Sequence, residues 1–85
     1  MTKKIRVNVT QQDIEQGWRG SSQACPVARA LRRQDELRRW WVGPDYIISE
    51  LGSREANLPP EARVFISAFD HGYPVAPFSF DLEVP

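Results

Sequence analysis

Six arginines lie between residues 19 and 39: Arg19, Arg29, Arg32, Arg33, Arg38 and Arg39. Only Asp35 and Glu36 oppose them there, so the segment is net +4. A guanidinium fork binds carboxylate or phosphate oxygens two at a time, which makes such a cluster a candidate anion clamp. The spacing of Arg29, Arg32, Arg33 and Glu36 puts them on one face of a helix, opposite Val27, Ala30, Leu31 and Leu37. Arg29 and Arg33 are four apart and repel by about 0.2–0.5 kcal/mol. Arg32 can relieve this through Glu36 or Asp35. The face reads either as a phosphate or carboxylate clamp or as a solvated surface balanced by the acidic C-terminal half.

Trp40 and Trp41 follow Arg39 directly. Neighbours on a strand point to opposite faces, so one indole enters the core and the other, unless a helix covers it, is partly exposed. An exposed Trp beside Arg39 suits an interface anchor or a platform for a base. The other reading packs one Trp beneath the loop before Cys25, close to Trp18. The candidate partner-binding set is therefore Arg29, Arg32, Arg33, Arg39 and Trp41. Residues 40–85 hold seven acids and two bases, net −5. Asp45, Glu50, Glu55, Asp81 and Glu83 form an alternative, acidic binding face that would imitate phosphates.

Cys25 precedes Pro26 at a helix start, a location that lowers a thiol pKa. Catalysis also needs a base, and no spacing rule ties Cys25 to His71, the only histidine. A buried packing residue or cap is the simpler reading. One Cys and one His cannot complete a structural zinc site. No phosphate-binding G-x-x-x-x-G-K-[ST], dinucleotide-binding G-x-G-x-x-G or metalloprotease H-E-x-x-H occurs. Gly17, Gly20, Ser21 and Ser22 could form an anion-binding loop at a helix N-terminus, but two glycines and two serines are what any loop contains, and an ordinary loop is the simpler reading. No catalytic residue, metal or cofactor is expected.

The elements that must position these residues follow from pattern. Ile5, Val7 and Val9 alternate with Arg6 and Asn8, a half-buried strand over about 4–9. Thr10 and Asp13 are spaced as a capping box, with Val9 and Ile14 as its hydrophobic staple. The short helix over 11–16 then ends at Gly17, which suits a left-handed residue after a helix. Pro26 opens a second helix, to about residue 35. Trp40-Trp41-Val42 and Tyr46-Ile47-Ile48 flank Gly43-Pro44-Asp45 as a hairpin. Residues 52–57 read as a polar loop. Leu58-Pro59-Pro60-Glu61 opens a third helix with Ala62, Phe65, Ile66 and Phe69 inward, ending at Gly72 and Pro74. Phe78, Phe80, Leu82 and Val84 alternate with Ser79, Asp81 and Glu83; the outward acids would protect an edge strand. The order is β-α-α-β-β-α-β. The expected fold is α+β, with a small mixed or antiparallel sheet of about four strands and two or three helices on one face.

Eighty-five residues suit one domain, 1–85, of modest stability. The chain as a whole is neutral, so steering toward nucleic acid is weak. No apolar run approaches a membrane span, and Met1-Thr2-Lys3-Lys4 leads into alternation instead of a signal-peptide apolar stretch. A single cysteine cannot form an internal disulfide, so a cytoplasmic setting is expected. A monomer and a homodimer both remain open.

Several short motifs occur together in order. They are Ile5-x-Val7-x-Val9-Thr10-Gln11-x-Asp13-Ile14-x-x-Gly17, Cys25-Pro26-Val27-Ala28-x-Ala30-Leu31, and Val42-Gly43-Pro44-Asp45. Leu58-Pro59-Pro60-Glu61-Ala62 and Ala68-Phe69-Asp70-x-Gly72-x-Pro74-Val75-x-Pro77-Phe78 follow. Over nearly the whole chain this resembles a group of small, mostly uncharacterised bacteriophage and prophage proteins. The stretch from Arg32 to Arg39 is particular to this sequence. The resemblance implies a small accessory protein of an infected bacterial cell. Proteins of that kind commonly act by binding, some as anti-CRISPR-like inhibitors of a host defence nucleoprotein complex. The expectation is a non-enzymatic inhibitor that occludes a host protein or nucleoprotein complex. The alternative is a nucleic-acid-binding accessory module using the arginine-rich helix and an exposed Trp.

Overall fold

The computed structural model describes residues 3–34, 40–49 and 54–84. In chain order they form β1 (Lys3–Val9), α1 (Gln11–Gln16), α2 (Pro26–Gln34), β2 (Trp40–Val42) and β3 (Tyr46–Ser49). β4 (Arg54–Asn57), α3 (Pro60–Asp70) and β5 (Phe78–Val84) follow. The class is α+β, as the pattern predicts. The strands divide into two antiparallel sheets, β1-β5 and β2-β3-β4, where one sheet was expected.

β1 and β5 join the two ends of the described chain. Their register sets Ile5 opposite Leu82, Val7 opposite Phe80 and Val9 opposite Phe78. The inward residues of both strands therefore form one apolar surface, while Arg6 meets Asp81 and Asn8 meets Ser79 on the outer face. The Ser79 hydroxyl donates to Asn8 Oδ1 at 2.7 Å. β4 occupies part of the expected 52–57 loop. Arg54-Glu55-Ala56-Asn57 shows no alternation, and the β3–β4 register shifts between Ile47 and Ile48. A bulge of this kind breaks the period-two signal on which strand recognition rests.

α2 is the central element. It packs on β1, on β2 and on α1. Pro26, Val27, Ala28, Ala30 and Leu31 are all buried. The small Ala28 and Ala30 let the neighbouring elements close on more than one side of the helix. The remaining stripe carries Arg29, Arg32 and Arg33, so its charge is concentrated by the packing of everything else. α3 covers another part of the core, with Phe65 on Phe78 at a ring-centroid distance of 4.6 Å. Trp40 and Ile47, both fully buried, bring the three-stranded sheet into the same core.

Gly17 ends α1, but its φ of −76° is ordinary extended backbone, not the expected left-handed form. Its necessity is spatial. A Cβ there would lie 2.7 Å from the Asp13 carbonyl oxygen and 2.7 Å from Pro26 Cδ. The start of α2 thus presses on the end of α1 at a point that tolerates only hydrogen. Gly17→Ala should lower unfolding free energy by about 1–3 kcal/mol, through forced displacement of packed backbone. Urea unfolding followed by far-ultraviolet circular dichroism checks this; an unchanged midpoint would show that the contact relaxes freely.

Candidate functional site

The site begins with the α1 cap. Thr10 Oγ1 accepts from the Asp13 backbone N–H at 3.2 Å, and the Thr10 N–H donates to Asp13 Oδ2 at 2.9 Å. The expected capping box is complete. Asp13 is also fully buried, the only charged side chain that is so among the described residues. A buried carboxylate requires matched donors. Arg33 supplies them: Nη1 donates to Oδ1 at 2.9 Å and Nη2 to Oδ2 at 2.8 Å. Arg33 Nη2 also donates to the Asn8 carbonyl at 2.8 Å. Arg29 approaches the same carboxylate, with Nε 3.6 Å from Asp13 Oδ1 and Nη2 donating to Gln16 Oε1 at 2.9 Å.

One carboxylate thus pairs with both arginines whose spacing would make them repel. The relief expected through Asp35 or Glu36 lies outside the described residues. Burial pushes the Asp13 carboxyl pKa up. The Arg33 hydrogen bonds, those with Thr10 and the nearby guanidinium charge outweigh it, lowering the pKa from 3.8 to about 2.

Arg29, Arg32 and Arg33 come together around an open cleft of about 320 Å³, also lined by Gln23 and Ala24. Arg32 is half-buried and forms no ion pair among the described residues. The Nε–H groups of Arg29 and Arg32 are shielded from solvent with no hydrogen-bond acceptor among the described residues. Arg39 lies outside the described residues. Trp41 is half-buried on β2, paired in register with Ile48, and does not line this cleft. Its neighbour Trp40 is the core indole.

The acidic alternative is dispersed. Asp45 is exposed in the β2–β3 turn; Asp81 and Glu83 point outward from β5. Asp81 is paired with Arg6 at 3.2 Å, and Glu83 lies opposite Lys4 in register. That strand surface has mixed charge. Glu50 lies outside the described residues, as does the side chain of Glu55.

Cys25 caps α2, its Sγ accepting the Ala28 N–H at 3.4 Å. Burial, the largest influence, pushes its thiol pKa up despite the backbone N–H groups nearby, which opposes thiolate chemistry. His71 Nδ1 lies 2.7 Å from the Ser67 carbonyl oxygen at the end of α3. No group of three or more His, Cys, Asp or Glu that could hold a metal ion occurs among the described residues. No helix among them is long and apolar enough to cross a membrane.

One surface escapes the sequence pattern. Trp18 is 71% exposed and Tyr73 66%. Their loops abut: the Gly20 N–H donates to Asp70 Oδ1 at 2.9 Å, and the Arg19 guanidinium lies over Gly72. The available signal was an indole isolated between Gly17 and Gly20, with no apolar partner at strand or helix spacing.

No protein-family model, curated protein or solved structure matches this chain.

The depressed Asp13 pKa fixes a pH dependence. A carboxyl with its folded pKa below the unfolded one stabilises the fold above the unfolded value, and that stability is lost as pH falls through the folded value. Unfolding free energy should therefore decline from pH 4 to pH 2, with about 2 kcal/mol of the decline due to Asp13. In Asp13→Asn that part of the slope disappears. Urea titrations of both proteins across this range measure the difference; parallel profiles would remove the assignment.

Proposed function

We propose that this chain is a non-catalytic interaction protein that binds a partner protein directly and occludes its working surface. The contact is the Arg29, Arg32 and Arg33 face. The observation that carries this reading is the arrangement of the three guanidiniums. Two are fixed by Asp13, Gln16 and the Asn8 carbonyl, and Arg32 lines the same cleft without an ion pair among the described residues. Side chains held in place before binding lose less entropy on association. The resemblance to small phage and prophage proteins supplies the partner class, a host defence nucleoprotein complex in the bacterial cytoplasm, blocked in anti-CRISPR fashion. The buried, capping Cys25 offers little support to an enzyme.

A nucleic-acid-binding module is the alternative. An indole exposed beside Arg19 could stack on a base. Against it, Arg33 is already committed to a carboxylate, so fewer cations remain for phosphates.

The test is affinity capture of the tagged protein from bacterial lysate, with and without exhaustive nuclease, read by mass spectrometry. A defined protein complex should survive nuclease. Arg32→Glu should abolish its capture, while Glu83→Lys retains it. Loss of all captured material on nuclease treatment, or undiminished capture by Arg32→Glu, would overturn the proposal.

A further inference from the structure

We infer that the cleft between Gln23, Ala24 and the three α2 arginines takes carboxylate side chains from an acidic segment of a partner protein. This deepens the interaction reading above and rests on it. Charge is the first ground. Among the described residues, three guanidiniums and the Asp13 carboxylate leave two positive charges around one concavity of about 320 Å³. Chemistry is the second. The same cluster already holds a carboxylate fork-to-fork, Asp13 on Arg33 at 2.9 and 2.8 Å. Arg32 offers a similar fork with no acid engaged among the described residues. The third ground is unmet demand. A shielded charged donor without an acceptor is costly; among the described residues the Arg32 Nε–H is one, and an anion in the cleft offsets its charge.

A carboxylate is favoured over a nucleic-acid phosphate by the surroundings. A polynucleotide needs cations at phosphate after phosphate. α1, packed on α2, presents Gln11, Gln12, Glu15 and Gln16 to solvent. Residues 40–85 are net −5 and repel an extended polyanion. A short acidic segment needs only the cleft.

The test is nuclear magnetic resonance titration of the ¹⁵N-labelled chain. The probes are an acetylated, amidated Glu-Gly-Glu-Gly-Glu peptide, an oligouridylate of equal charge and inorganic phosphate. The peptide should shift the Nε–H signals of Arg29 and Arg32 and the amides of Gln23 and Ala24 saturably. Arg32→Gln should weaken this by about tenfold, the effect of losing one charge-assisted contact. Absence of a saturable shift overturns the inference, as does equal or stronger action by oligouridylate or phosphate. If the peptide fails while Arg32→Glu still abolishes partner capture, the carboxylate assignment falls and the occlusion reading stands. If the peptide binds but capture ignores Arg32→Glu, the occlusion reading falls and the carboxylate site stands.

Discussion

A carboxylate without solvent exposure is the constraint around which the N-terminal half of this protein is arranged. Asp13 closes the α1 cap through Thr10 and receives both Nη groups of Arg33 from α2. Arg33 in turn reaches back to the Asn8 carbonyl near the end of β1. Three successive elements are thereby tied at one point. Taking a charge out of water costs several kcal/mol, so this arrangement stands only because nearly every acceptor direction is filled. Gly17 completes it, since the two helices can approach this closely only where a side chain is missing.

The same constraint shapes the surface. With Ala28 and Ala30 buried beside Val27 and Leu31, α2 has one narrow stripe left for its arginines. Asp13 offsets part of their charge from beneath and stiffens Arg29 and Arg33 without occupying Arg32. A basic face held in this way differs from a flexible lysine-rich surface. Its donors are held in fixed positions by the fold itself, as geometric recognition of an anion requires.

Much of this was legible in the residues because local rules agreed with the tertiary outcome. The alternation of Ile5, Val7 and Val9, and of Phe80 and Leu82, marks strands whose inner faces are buried. Thr10 and Asp13 announce the cap, and Pro26 the start of α2. Less visible was anything set by distance along the chain. Asp13 and Arg33 are twenty positions apart, and no spacing rule pairs them. The bulged β4 lacks a period, and the role of Gly17 comes from Pro26, not from its own backbone angle. Trp40 and Trp41 stand together in the sequence, yet the largely exposed indole is Trp18, left outside the core by its loop.

The central claim is that the buried Asp13 and the half-exposed Arg33 guanidinium act as one unit. A double-mutant cycle with Asp13→Asn, Arg33→Met and the double variant, followed by urea unfolding at neutral pH, addresses it directly. The account predicts a coupling free energy of about 2–3 kcal/mol, with the double variant more stable than the single effects sum to. A coupling below about 0.5 kcal/mol, in the range of independent sites, would contradict it.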